Sequence, residues 1–583
     1  MAKYEIKDGV GIIPEGTKEI EARAFFECLE LTSVVIPDSV TVIDREVFAG
    51  CMNLTNVIIG NSVTFIGSNA FDGCISLKSL TIPASVTSLR IESFFGCPSL
   101  TSIVVDEGNP VYDSRDNCNA LIMTKRNLLV LGCGSTVIPD SVSLIDDYAF
   151  RGNTGLQSIV FPASVTEIGR FAFDGCTGLK EIVIPDTIRH IGVGAFRSCA
   201  NLTSVVVSKG NKFFDSRDNC NAIIETASNL LSAGCKTTVI PDSVTKIGWD
   251  AFQGCTGLTS IVIPNSVTSI EDSAFDGCTR LTDVVIPDSV IKIGRYAFRG
   301  CKSLKTNIVI GDSVKQIDRE TFIGCISLTT VVIGNSVRNI GDKAFYGCTG
   351  LTSIVIPDSV TVIGWSAFEG CTSLTNIVIG DSVTKIEREA FKGCKSLKSI
   401  VIPASVMDIS TDSFEGCTGL TSVVVAKGNT VYDSRDNCNA IIETKRNYLF
   451  VGSNATVIPN SVTGMKDYVF KDCKGLTNMV IPNSITRISG FFRGCTGLTS
   501  VVIPSSVTRI EYFAFEGCTS LTSVVIPDSV IEIGRSAFEG CTGLTSINIP
   551  DSVKNIGMDA FKDCPGLKKT PRSLTEALSN VNL

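Results

Sequence analysis

Apolar residues recur in one fixed pattern along most of the chain, and the stretch from Leu351 to Ser373 shows it in full. Ile354 and Ile356 lie two residues apart, as in a strand that buries one face. The apolar positions that follow have the spacing of one or two helical turns on the same core, and they are Ile363, Ala367, Phe368 and Cys371. One such unit cannot bury its apolar face alone, whereas stacked copies can, so the pattern predicts an α/β repeat solenoid.

A cysteine marks the interval at which the unit returns. Most neighbouring cysteines lie 23 residues apart in the longest uninterrupted run, which is Cys255, Cys278, Cys301, Cys325, Cys348, Cys371, Cys394 and Cys417. The strands of successive units then lie side by side. We therefore predict a curved right-handed coil with one long parallel β-sheet on its concave face and short helical or 3-10 turns on its convex side.

Three inserts interrupt this pattern, near residues 106–136, 208–238 and 426–456, and they resemble one another. In each, two apolar runs flank a polar turn, which predicts a β-hairpin that protrudes from the solenoid. Asp113, Arg115 and Asp116 of the first insert recur in the other two, so we expect these charges to pair among themselves. Cys118 and Cys133 lie on opposite arms of the first hairpin, and the sequence leaves open whether they form a disulfide. The same holds for Cys220 and Cys235.

The two ends depart from the repeat. Residues 1–13 contain two short alternating runs around an Asp-Gly turn and predict a β-hairpin cap. Residues 568–583 carry a capping-box pattern followed by apolar residues on one face, which predicts a short C-terminal capping helix. Between them, residues 14–567 are predicted to form a single solenoid.

Composition excludes several classes of partner. The net charge of −8 comes without a basic stripe, which argues against binding to nucleic acid. No run approaches the ~20 apolar residues that a membrane-spanning helix needs, so we expect no membrane insertion.

The first residues lack the pattern of a secretory signal. We therefore expect a cytoplasmic protein, or a secreted or cell-surface one if a leader has been removed.

Candidate catalytic chemistry is scarce. His190 is the single histidine, no GxSxG motif occurs, and no CxxC pair suggests zinc, so we predict no catalytic residue, no metal and no cofactor. The repeated cysteines are expected to be buried thiols that fill a small apolar site. Trp249 and Trp365 share one repeat position, where they either anchor a partner or pack between adjacent turns.

The exposed face of the predicted sheet is the candidate binding surface. Pleating turns the central residue of each strand away from the core, and in the middle of the chain these residues are Val262, Val285, Val309, Val332, Val355 and Val378. An acidic row follows the strands, at Asp288, Asp312, Asp358 and Asp381. Such an apolar stripe with an acidic edge suits a protein partner. The alternative is that valine is there for its β propensity and aspartate caps the following turn.

The unit LxxIxIPxSVTxIGxxAFxGCxx resembles the Treponema-type leucine-rich repeat of BspA-like surface proteins, from about Ile12 to Leu567. The resemblance implies a leucine-rich repeat solenoid without enzymatic activity. It also implies a surface adhesin that binds host matrix or cell-surface macromolecules through its concave face. An intracellular scaffold for protein assembly is the alternative, which the absence of a leader pattern and the many cysteines favour.

Overall fold

The computed structural model of the protein describes residues 3–305, 307–410 and 412–567. The chain divides into two compact units, Met1–Leu304 and Lys305–Leu583, and both consist of stacked turns. Each regular turn contributes a first strand of three or four residues and a second strand of two. The first strands of neighbouring turns pair in parallel, and so do the second strands, which confirms the predicted parallel-sheet solenoid.

The first strands bury alternate side chains. In Ser353–Ile356, Ile354 and Ile356 face the core while Val355 faces outward. In the first unit the first strands are Ser33–Val35, Asn56–Ile58, Ser79–Ile82, Ser102–Val105, Glu181–Ile184, Ser204–Val207, Ser260–Val262 and Asp283–Val285. In the second unit they are Ile308–Ile310, Thr330–Ile333, Ser353–Ile356, Asn376–Ile379, Ser399–Ile402, Ser422–Val425, Asn478–Val480, Ser500–Val502, Ser523–Val525 and Ser546–Asn548.

The second strands form a shorter ladder in which a single residue of each pair is usually buried. In the first unit they are Glu19–Ile20, Val42–Ile43, Phe65–Ile66, Ser88–Leu89, Leu144–Ile145, Glu167–Ile168, His190–Ile191, Lys246–Ile247, Ser269–Ile270 and Lys292–Ile293. In the second unit they are Gln316–Ile317, Asn339–Ile340, Val362–Ile363, Lys385–Ile386, Asp408–Ile409, Gly464–Met465, Arg487–Ile488, Arg509–Ile510, Glu532–Ile533 and Asn555–Ile556.

The remaining side of each turn contains hydrogen-bonded turns instead of the helix suggested by Ile363 to Cys371. The N–H of Phe368 bonds to the carbonyl of Ala390 in the next turn, and the N–H of Gly370 bonds to Lys392. These donors link neighbouring turns, so they are not available for helical bonds along the chain. Ser366 and Gly370 also have positive φ angles, of 51° and 74°, which interrupt any helix.

Helical structure in the described residues is limited to short 3-10 segments: Ile91–Phe94, Arg115–Asn117, Thr124–Arg126, Arg217–Asn219 and Arg435–Asn437. None of these is long and apolar enough to span a bilayer. The predicted C-terminal helix over 568–583 lies outside the described residues. At the other end, the strands Glu5–Lys7 and Val10–Ile12 pair in antiparallel fashion, and Val10 continues in parallel with Ser33.

The prediction of inserts that protrude from the solenoid is not confirmed. Each insert contains three strands joined in antiparallel fashion. The third strand pairs in parallel with the second strand of the following turn, as Leu128 does with Leu144, so the insert belongs to the ladder. Its side chains fill the core, and Ile122 and Leu129 are fully buried. The strands are Tyr112–Asp113, Ala120–Met123 and Leu128–Gly132; Phe214–Asp215, Ala222–Glu225 and Leu230–Gly234; Tyr432–Asp433, Ile441–Glu443 and Tyr448–Val451.

The core is a column of stacked phenylalanine rings lined by aliphatic side chains. The ring of Phe368 lies 5.3 Å from that of Phe345 and 5.4 Å from that of Phe391, measured between ring centres, and the three rings are nearly parallel. All three are fully buried. Because each ring needs its neighbours to be covered, a turn is stable only within the stack.

Candidate functional site

An apolar stripe runs along the exposed face of the first strands in the second unit. Val309, Val332, Val355 and Val378 are directly paired in register, and about half of each side chain is exposed. Adjacent strands in a sheet lie ~4.8 Å apart, so the four side chains form one continuous row. Rows of exposed apolar side chains of this kind are typical of interaction surfaces.

The first unit carries the same kind of row. Val262 and Val285 are paired in register and are 77% and 68% exposed. The exposed valine that follows each insert was missed in the sequence: Val137 and Val239 in the first unit and Val457 in the second, each 71% exposed. They follow the inserts in the tripeptide Thr-Val-Ile, which is the strand pattern of the repeat and is the signal that identifies them.

Threonine hydroxyls flank the stripe but are directed along the stack. The hydroxyl of Thr375 donates to the carbonyl oxygen of Thr352 at 3.0 Å, and that of Thr352 donates to Thr329 at 3.2 Å. Each of these hydroxyl groups therefore donates its hydrogen to a backbone carbonyl of the preceding turn. A partner at this face meets apolar surface and hydroxyl lone pairs, and it gains few hydrogen-bond donors from these residues.

The acidic row supports the turns. The Oδ1 of Asp358 accepts a hydrogen bond from the N–H of Asp381 at 2.8 Å, and the Oδ1 of Asp312 accepts one from the N–H of Asn335 at 2.6 Å. These contacts match the capping alternative, since each carboxylate holds the turn that follows its own. Asp288 and Asp381 are exposed at the same repeat position. Within the described residues, no group of three or more His, Cys, Asp or Glu side chains is placed to hold a metal ion.

The cysteine row lies in the core, as predicted. The Sγ of Cys371 donates to the carbonyl oxygen of Phe345 in the preceding turn, at 3.2 Å, and other repeat cysteines make the same contact. Burial raises the pKa of Cys348 to about 12. Thiolate is the reactive form, so a thiol with this pKa is inert at neutral pH.

The cysteines of the first insert are both free in the structure. Cys118 packs with Ile138 and Val142 in one cluster of the core, whereas Cys133 packs in another cluster with Leu131. Side chains directed into different clusters do not meet as a disulfide requires.

The charged residues of the inserts pair only in part as expected. Asp113 and Arg115 form a two-pronged ion pair, with Nε to Oδ1 at 2.7 Å and Nη2 to Oδ2 at 2.5 Å. Asp116 is exposed and has a positive φ of 56°. Asn109 binds the insert to the preceding turn, because its amide donates to the carbonyls of Pro83 and Val86.

The remaining candidates lie away from the stripe. His190 is exposed in a second strand. The indole N–H of Trp365 donates to Glu389 at 3.1 Å, and the ammonium of Lys343 lies 4.4 Å from its ring centre, which is packing between adjacent turns. Trp249 at the same repeat position is 55% exposed and borders a cavity.

Several solved structures of leucine-rich repeat proteins are similar to this chain. A leucine-rich repeat protein from Bacteroides ovatus is 29% identical, with 71% of this chain and 84% of that chain covered and a TM-score of 0.37. A leucine-rich cell surface protein from Faecalibacterium prausnitzii is 28% identical, with 62% and 83% covered and a TM-score of 0.38. The pneumococcal vaccine antigen PcpA is 21% identical, with 60% and 85% covered and a TM-score of 0.41.

The family comparison covers most of the chain. The profile of the BspA-type leucine-rich repeat region matches residues 12–118, 132–227, 222–352, 315–440 and 443–569. No curated protein matches the chain. With the repeated Phe and Cys rows and the two parallel ladders already described, these matches lead to one conclusion: the chain belongs to the BspA-type leucine-rich repeat family.

Proposed function

We propose that this protein is a non-enzymatic scaffold that binds other proteins through the valine stripe of its first strands. The observation that carries the proposal is the register of Val309, Val332, Val355 and Val378, which places four half-exposed apolar side chains in one row. The backbone beneath the row is fixed by two hydrogen-bonded ladders, so little conformational entropy is lost when a partner binds. Leucine-rich repeat proteins as a class are protein-binding scaffolds.

We further propose that the partners are host matrix or cell-surface macromolecules and that the protein acts as a bacterial-type surface adhesin. The support is that the chain belongs to the BspA-type family, since similarity to BspA-like surface proteins implies a role in adhesion. Binding energy at such a face is concentrated in a few side chains near its centre, surrounded by contacts that exclude water. Val332 and Val355 are the two middle residues of this row of four.

An intracellular assembly scaffold is the second candidate. The observation that favours it is the set of free cysteines, since the described thiols need no oxidising compartment. Antibody labelling of intact cells distinguishes the two locations. Labelling without permeabilisation supports the adhesin, whereas labelling that requires permeabilisation supports the intracellular scaffold.

The binding test compares two triple variants in the second unit. The first is Val332→Glu, Val355→Glu and Val378→Glu, which places three charges in the stripe. The matched control is Ile326→Glu, Thr349→Glu and Thr372→Glu, three positions outside the stripe with the same spacing along the stack. Both variants add the same charge at the same turn-to-turn spacing, so their self-repulsion is comparable.

Binding to immobilised collagen, fibronectin, laminin and intact host cells is measured by surface plasmon resonance and cell adhesion. We expect the stripe variant to bind roughly tenfold more weakly than the native protein and the control variant to bind normally. Thermal unfolding of both variants establishes that each is folded. Equal binding by the stripe variant and the native protein would reject the stripe as the binding surface.

A further inference from the structure

A cavity of about 310 Å³ lies in the first unit, where the second insert meets the turns on either side of it. The preceding turn supplies Val193 and Phe196, the third strand of the insert supplies Leu230, and the following turn supplies Trp249. Most of this wall is aliphatic or aromatic. Small-molecule sites in proteins have volumes of roughly 300–1,000 Å³ and walls of this character.

The cavity follows from two small side chains in the insert. Ser232 and Ala233 occupy the positions that Val130 and Leu131 hold in the first insert. Val130 and Leu131 are each 5% exposed and fill the core there. A serine and an alanine at equivalent positions leave unfilled the space that branched side chains otherwise take. The open volume is therefore a property of this copy of the insert, and the larger side chains are compatible with the same backbone.

About half of Trp249 is exposed, and the side chain lines the cavity beside Glu271. The neighbouring carboxylate of Glu271, whose pKa Trp249 helps to lower, accepts hydrogen bonds from Ser269 at 2.5 Å and from Lys292 at 2.5 Å. Burial acts to raise the pKa of Glu271, but these hydrogen bonds outweigh it and the pKa is lowered, so the carboxylate stays ionised. The carboxylate beside the indole is thus fixed before any ligand arrives, which reduces the entropy lost on binding.

Size and polarity define the ligand class. An enclosed apolar cavity of about 150 Å³ accommodates one benzene ring, and this open cavity of about 310 Å³ has room for two fused rings. The polar part of the lining consists of Glu225, Ser232, Lys246 and Glu271. The carboxylate of Glu225 and the hydroxyl of Ser232 can each accept a hydrogen bond from a ligand N–H or O–H.

We propose that this cavity binds a small neutral aromatic molecule of about two fused rings with one hydrogen-bond donor. The site is separate from the valine stripe and does not depend on the protein-binding function. Indole is the probe that matches this description in size, neutrality and its single N–H.

The first experiment measures indole binding by saturation-transfer NMR and by isothermal titration calorimetry. The native protein is expected to bind indole with a dissociation constant on the order of 0.1–1 mM, in line with the small number of ligand atoms. The double variant Ser232→Val with Ala233→Leu introduces the side chains of the first insert and fills the cavity. We expect it to bind indole at least roughly tenfold more weakly.

The second experiment uses the two tryptophans as a matched pair. Trp249→Ala removes a wall of the cavity and is expected to weaken indole binding at least roughly fivefold. Trp365→Ala removes a tryptophan at the same repeat position without touching the cavity and is expected to leave binding unchanged. If the double variant that fills the cavity does not fold, the two tryptophan variants still test whether indole binds in the cavity. The absence of saturation transfer to the native protein at ~5 mM indole, or equal loss in both tryptophan variants, would overturn the proposal.

Discussion

The hydroxyl oxygen of Tyr432 accepts a hydrogen bond from the backbone N–H of Ile409 at 3.1 Å. Ile409 ends the last second strand before the third insert, where the parallel ladder is interrupted. Before the first insert, burial raises the pKa of Tyr112, the equivalent tyrosine, while the backbone N–H of Leu89 acts to lower it. Tyr432 thus supplies the acceptor that the next strand of the ladder supplies elsewhere. The second insert has Phe214 at this position, so its ring presents no hydroxyl to Ile191.

Phe214→Tyr is therefore expected to stabilise the protein. The ring of Phe214 is only 5% exposed, and by analogy with Tyr432 the added hydroxyl can accept a hydrogen bond from the N–H of Ile191. A hydrogen bond of this kind contributes about 1 kcal/mol to the free energy of unfolding. Hydrogen–deuterium exchange read by mass spectrometry should show slower exchange in the peptide that contains Ile191.

The reverse change provides the control. Tyr432→Phe is expected to speed exchange at Ile409 and to lower stability by about 1 kcal/mol, because a buried amide loses its acceptor. Unchanged exchange at both Ile191 and Ile409 would contradict this role of the tyrosines.

Sequence periodicity predicted the strands because their signal is local. Ile354 and Ile356 alternate as in any half-buried strand, and the exposed position of Val355 follows from pleating alone. The helix expected between Ile363 and Cys371 is absent from the structure. The cause lies in the contact between neighbouring repeats, so the sequence of one repeat does not reveal it. The N–H of Phe368 bonds to a carbonyl of the next turn, and that choice depends on the neighbouring copy.

The inserts show the same limit. Two apolar runs around a polar turn correctly predict antiparallel strands, but they do not tell whether the strands protrude or enter the core. Leu129 is fully buried because its strand takes the place of a second strand in the ladder. The cavity beside Ser232 was not predicted either, since it depends on which side chains line one junction.

The ion pair between Arg115 and Asp113 gives a second prediction. Arg115 also donates from Nη1 to Asn127 at 3.0 Å and to Ser141 at 3.2 Å, so its guanidinium joins the insert to the following turn. Arg115→Lys retains the charge but loses the planar guanidinium that makes two parallel hydrogen bonds. We expect the free energy of unfolding to fall by about 1–2 kcal/mol. Chemical unfolding and exchange rates in the insert measure the effect. Arg126→Lys, at an exposed position of the same insert, should change stability by less than about 0.5 kcal/mol.

Asp250 makes stability depend on pH. Its pKa is raised to about 6, chiefly by burial and in part by Asp276, Asp174 and Asp272, against the opposing effect of Arg197. The folded state therefore binds this proton more tightly than the unfolded state, in which an aspartate has a pKa near 3.9. The contribution of Asp250 to the free energy of unfolding is fully present below about pH 4 and is lost as the pH rises through about 6.

Asp250→Asn should remove that dependence. Asparagine has nearly the same shape and tolerates the positive φ of 57° at this position. The variant is expected to be more stable than the native protein at pH 7.5, by roughly 1 kcal/mol after allowance for solvent screening, and to differ little at pH 4. Thermal unfolding at both pH values tests this, and a variant that is less stable at pH 7.5 would contradict the assignment.

The burial of the cysteines predicts an order of chemical reactivity. Cys564 is the only cysteine of the described residues that is partly exposed. Cys541, one turn away, is buried in the core, and burial raises the pKa of its thiol. Iodoacetamide at pH 8 should therefore modify Cys564 first, while the other thiols react only after unfolding, because alkylation requires an accessible thiolate. Peptide mass spectrometry over a time course gives the order. The same experiment after denaturation is the control, since all 24 cysteines should then react at similar rates. Early modification of Cys371 in the native protein would show that the stack opens locally and that its core thiols are not sealed from solvent.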